Sequence, residues 1–66
     1  MRRPLSEQIK RHRTRCGLTQ QALAEKAGLS RIYVAKLEAG DRLPSLPALA
    51  RIAKELGVRV RIDLVK

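Results

Sequence analysis

Apolar positions along the chain fall into four short stripes with helical spacing, followed by one stretch that alternates. The tightest arrangement runs from Thr19 to Gly40, TQQALAEKAGLSRIYVAKLEAG, where two amphipathic segments meet at one glycine with no room for a loop. In the first segment Thr19 is placed as an N-cap, and Leu23, Ala24 and Ala27 share one face. Gly28 ends it by taking the positive φ that other residues resist. Ser30 caps the second segment, Val34 and Leu37 form its inner stripe, and Gly40 stops it. Its outward face then carries Arg31, Ile32, Ala35 and Lys36. The pattern predicts a helix, a tight turn and a second helix, crossing closely because Ala24 is small.

On the N-terminal side, Leu5, Ile9, His12 or Arg13, and Cys16 describe one inward stripe that Gly17 ends, with Pro4 suited to a helix entry. On the C-terminal side, Asp41, Arg42 and Leu43 form a short connection closed by Pro44. Ser45 caps a fourth helix whose first turn tolerates Pro47. Leu46, Leu49, Ile52, Ala53 and Leu56 make its expected buried face, and Gly57 stops it. The fold class expected is mainly α: one compact four-helix domain over residues 1–66, with helices at about 5–16, 20–27, 31–39 and 46–56. In the tail, Val58, Val60, Ile62 and Leu64 alternate with Arg59, Arg61, Asp63 and Val65, which predicts a strand at about 58–65. This chain offers no second strand, so the expected partner is the same strand of another copy. Centring an antiparallel pair on Ile62 sets Val60 against Leu64 and Arg61 against Asp63. Centring on Arg61 opposes that arginine to itself, a like-charge contact that makes Ile62 the preferred centre. The alternative is a tail that packs on its own chain or frays.

The spacing resembles the helix-turn-helix of the phage-repressor (Cro/CI, or XRE) family. Counting from Gln20, that pattern expects apolar Leu23, small Ala24, Gly28, and apolar Val34 and Leu37, and all are present. Arg13 with the GLTQ run at Gly17 to Gln20 looks like the family's first helix and entry, and LEAG at Leu37 to Gly40 like its exit. The resemblance covers residues 5 to about 57 and implies a lambda-repressor-like domain. In that family the arginine of helix 1 meets the glutamate at the end of the recognition helix, which implies an Arg13 to Glu38 ion pair. Such a pair would also answer why a charge lies beside an apolar stripe. The family uses the glutamine matching Gln20 as a phosphate clamp. The tail departs from the family's common pattern, which continues with another helix, although some antitoxin regulators carry a similar terminal strand.

A formal charge of +9 on 66 residues, with pI near 11.2, favours a polyanionic partner. No phenylalanine or tryptophan is present, so a small aliphatic core makes a homodimer more plausible than a lone monomer. Cys16 is the single cysteine, which leaves no intramolecular disulfide and no zinc set. It is expected as a small buried hydrophobe, and His12 as an ordinary partly exposed side chain. No metal or cofactor is implied. Neither a signal peptide nor a membrane span is read, so the expected location is cytoplasmic, at the nucleoid through DNA. With one histidine, few acids and no glycine-rich phosphate loop, an enzyme is not expected.

A recognition helix of nine residues is roughly 13 Å long and fits a major groove about 12 Å wide. Arg31, at its first position, can donate two bonds to guanine, Ile32 and Ala35 can touch thymine methyls, and Lys36 can take a guanine or a phosphate. Thr19, Gln20 and Ser30 sit where helix N-termini offer amides to phosphates. Tyr33 points to the flank, for a phosphate bond or for packing. Arg42 suits a backbone or minor-groove contact, or a solvated loop. The reading is a sequence-specific regulator, a repressor binding double-stranded DNA at an inverted repeat. The alternative is an antitoxin that neutralises a toxin protein and binds its own promoter.

Overall fold

The computed structural model describes residues 4–60. It contains four helices: α1 (Leu5–Arg15), α2 (Gln20–Ala27), α3 (Arg31–Ala39) and α4 (Leu46–Leu56). Three of the four starts are fixed by a hydroxyl on the residue before the helix. Thr19 Oγ1 accepts from the Ala22 amide at 3.0 Å, Ser30 Oγ from Tyr33 at 3.0 Å and Ser45 Oγ from Ala48 at 3.2 Å. Each satisfies a first-turn amide that has no carbonyl inside its helix. At the other ends one device recurs. The residue after each terminal glycine donates its amide back five residues, Leu18 to Arg13, Leu29 to Ala24, Asp41 to Lys36 and Val58 to Ala53. In three of the four that residue is apolar and packs against the core, so the turn that ends a helix also supplies a side chain to the interior. At Gly28 the turn requires φ +69°, with nothing within 4 Å of where a Cβ would stand. Backbone conformation rather than space reserves that position for glycine.

Leu23, Val34, Leu37 and Ile52 are the large side chains wholly withdrawn from water. Ile9, Ala24, Ala27 and Leu56 complete the cluster, with Leu5, Leu18, Leu29, Tyr33 and Val58 closing its edges. Helix α2 packs mainly on α3 and α4, and α1 on α3. Ala24, 1% exposed, stands in this interior and keeps the approach of its neighbours close.

Two expectations about the core are corrected. Cys16 is exposed: α1 ends at Arg15, and Cys16, at the helix's edge, directs its Sγ to the Leu56 carbonyl at 3.6 Å. The inward stripe therefore stops at Arg13, because the chain turns at Gly17 before another turn of helix can follow. Leu46 is also outside, 68% exposed. It occupies the first turn of α4, where the apolar stripe has no neighbour to cover it, and the buried face is formed by Ala48, Ile52, Ala53 and Leu56 with Leu49 half-buried. The strand expected at 58–65 is not seen. Among the described residues there is no strand, and Val58 to Val60 run without regular structure. Extended backbone needs a neighbour for its amides and carbonyls, and none is supplied among the described residues. Arg61, Ile62, Asp63 and Leu64 lie outside the described residues, as do Arg2 and Arg3 of the short basic arm that opens the sequence.

Candidate nucleic-acid interface

Helix α3 presents Arg31, Ile32 and Lys36 outward, all exposed, with Ala35 half-buried between them. Ile32 is 61% exposed, which leaves an apolar side chain standing among cations on the face that no other helix covers. The opposite face of the same helix holds Val34 and Leu37 in the core. The i, i+3 spacing thus does two things: it fixes α3 to the body and sets the other stripe outward as a rigid row.

Beneath this row, Arg13 and Glu38 tie α1 to α3. Arg13 Nε donates to Glu38 Oε2 at 2.6 Å and Nη2 to Oε1 at 3.0 Å, the two-pronged geometry that suits guanidinium and carboxylate. The side chains are 11% and 3% exposed. Nη1 of Arg13 donates to the Leu18 carbonyl at 2.7 Å, so the same arginine also holds the connection between α1 and α2. The hydrogen bond to Glu38 raises the Arg13 pKa above its ordinary value, with Glu38's charge adding to it and burial working against it. Because the folded value lies above the unfolded one, titration of this arginine contributes stability that is present below the ordinary guanidinium range and lost as pH rises through the raised value.

Gln20, at the first position of α2, is half-buried, and its Nε2 donates to Glu38 Oε1 at 3.2 Å. Thr19 and Ser30 are engaged as caps. Tyr33 is half-buried on the flank of α3, and its hydroxyl accepts from the Ser45 amide at 3.3 Å. The Arg42 guanidinium stands 5.1 Å from the Tyr33 ring centroid, a cation on the π face. Tyr33 thereby joins the α3–α4 connection to the exposed row of α3. An open cleft of about 630 Å³ lies beside it, lined among others by Ser30, Tyr33, Arg42, Pro44, Ala48 and Arg51, with both arginines exposed. The contacts of Gln20 with Glu38 and of Tyr33 with Ser45 carry no mark in the sequence. They join residues 18 and 12 positions apart, and neither pair stands out by type.

This arrangement can be set against known proteins. The family model described as "Helix-turn-helix" matches residues 9–62. The chain belongs to the Cro/CI, or XRE, type of helix-turn-helix family. Within it, an "Uncharacterized HTH-type transcriptional regulator" of Methanothermobacter thermautotrophicus is 47% identical over 49 residues, 74% of this chain and 71% of that one. The "Immunity repressor protein" of Bacillus phage phi105 is 45% identical over 56 residues, which are 85% of this chain but 39% of the phage protein. Among solved structures, SinR, a master regulator for biofilm formation in complex with DNA, superposes with a TM-score of 0.82 at 30% identity, over 85% of this chain and 90% of that one. This family member is accordingly a transcriptional regulator with a DNA-binding helix-turn-helix. Among the described residues no helix is long and apolar enough to cross a membrane, and no group of histidine, cysteine and acidic side chains is placed to hold a metal ion.

Proposed function

We propose that this regulator is a repressor that binds an inverted-repeat operator as a homodimer, with α3 in the major groove. The observation that carries the reading is the exposed row of α3, an isoleucine between cations on a helix whose other face is locked in the core. Arg31 takes a guanine edge by two hydrogen bonds, Ile32 and Ala35 meet thymine methyls, and Lys36 takes a guanine or a phosphate. Thr19, Gln20 and Ser30 meet one stretch of phosphates at the starts of α2 and α3, and Tyr33 and Arg42 meet another from the flank. The Tyr33 hydroxyl uses an oxygen lone pair for the Ser45 amide, which leaves its proton to give. An apolar groove of about 300 Å³ between α1, α4 and the start of the tail, lined by Leu5, Ile9, Leu49, Leu56, Val58 and Val60 among others, supports self-association at this end. Pairing of the tails through Val58, Val60, Arg61, Ile62, Asp63 and Leu64 would place two recognition helices on one face of the duplex, at half-sites about 34 Å apart.

Selection of bound duplexes from a random DNA pool, at near-physiological salt, tests this. An enriched inverted repeat is the expected result. Enrichment of a single half-site would remove the dimer. Retention without enrichment would make the protein an architectural binder, and no retention would turn the search toward a protein partner such as a toxin.

A further inference from the structure

Glu38 carries more than its bond to Arg13. Its Oε1 accepts from Arg13 Nη2 at 3.0 Å and from Gln20 Nε2 at 3.2 Å. A carboxylate paired with arginine has no proton to give, so it decides which end of the Gln20 amide faces it. The nitrogen must, for the carbonyl oxygen would be repelled. One hydrogen of Nε2 is then used inward, and the second remains for an acceptor outside. A glutamine free at this position would sample both orientations of its amide, and one of them turns an oxygen toward any approaching phosphate. Arg13 has a matching part. An unpaired carboxylate within hydrogen-bond distance of Gln20 would repel phosphate, and the guanidinium neutralises it.

We propose that Glu38 is a positioning residue for DNA binding: by holding Nε2 of Gln20 it presets that side chain as a phosphate donor, while Arg13 cancels the charge that would otherwise oppose the phosphate. This rests on the reading of Gln20 as a phosphate contact. It makes the buried pair a device for binding as well as for folding.

The test is a double-mutant cycle by fluorescence anisotropy, using a labelled duplex from the retained pool described above. Arg13→Met/Glu38→Leu replaces the pair with apolar side chains of similar volume, an exchange that buried ion pairs often tolerate. In the Gln20 background it should weaken binding by about fivefold, the worth of one modest hydrogen bond; in the Gln20→Ala background it should change little. Equal losses in both backgrounds would show that the pair acts only through folding and would overturn the proposal. A Gln20→Ala protein that binds as the parent does would also overturn it, while leaving DNA recognition by α3 intact. Failure of the parent protein to retain any duplex would instead remove the DNA reading itself. Side-chain amide NMR of the intact protein gives a measurement free of folding effects. One Gln20 Nε2 hydrogen should shift on adding duplex while its bonded partner stays, and loss of that asymmetry would refute the assignment.

Discussion

Replacing Arg13 by alanine is the most searching test of how this domain is held together. The substitution removes two hydrogen bonds to Glu38 and one to the Leu18 carbonyl, and leaves a carboxylate 3% exposed. Among the described residues, Gln20 alone remains to partner it. Breaking a buried pair from one side costs about 3–5 kcal/mol, against roughly 0–1 for an exposed pair. At roughly 0.05–0.15 kcal/mol per residue, a domain of 66 residues has a total stability of the same order as that loss. The variant should therefore be largely unfolded near 37 °C, or melt well over 10 °C lower if a fold persists, given roughly 4–8 °C per kcal/mol in small domains. Urea titration followed by circular dichroism at 222 nm measures the change. A loss under about 1 kcal/mol would refute the reasoning, because it would place the pair among those that water already screens. Arg13→Met/Glu38→Leu provides the internal control. It should be more stable than the Arg13→Ala single variant, since no lone charge is left behind.

Other outcomes follow from the same geometry. Arg31→Ala should relax discrimination at one base step by about 1–3 kcal/mol, visible as loss of one conserved base in a repeated duplex selection; a uniform weakening across sequences would reassign Arg31 to a phosphate. Tyr33→Phe removes the acceptor for the Ser45 amide but keeps the ring under Arg42, so it should cost no more than about 1 kcal/mol in urea titration, and Tyr33→Ala should cost more. Gly28→Ala meets no atom within 4 Å yet must hold φ +69°, so a loss of about 1–2 kcal/mol is expected from the backbone alone. The logarithm of affinity should fall linearly with that of salt concentration, by about 0.9 per phosphate contacted on duplex DNA, and Arg42→Ala should lower that slope by about one contact.

The helix ends were legible because their signals are local. Thr19, Ser30 and Ser45 sit one residue before their helices, and each hydroxyl finds an amide three residues on. The inner stripes of α2 and α3 were legible for a related reason, since Leu23, Val34 and Leu37 lie mid-helix, where periodicity and burial coincide. The same rule failed at helix edges. Cys16 and Leu46 continue their stripes in register, but one lies beyond the last full turn and the other in a first turn without neighbours. Periodicity gives direction around a helix and says nothing about whether another element extends that far. The partners of Gln20 and Tyr33 were hidden because which polar side chain meets which depends on how two helices cross. The strand had an alternating pattern of its own but needs a partner strand, and the described residues contain none.

The nine residues of α3 have one consequence for how such a regulator lives in a cell. A helix of this length does not persist in water by itself, where isolated helices shorter than about 12–15 residues are marginal. The outward row of α3 therefore exists only while the whole domain is assembled. Duplex DNA that binds the assembled form draws unfolded chains back to it, by about 2.7 kcal/mol when free sites stand at 100 times the dissociation constant. Bound duplex would then shelter the protein from proteases that attack open chains. Copies without a site are the ones exposed to turnover, so the number of binding sites would help to set how much regulator survives.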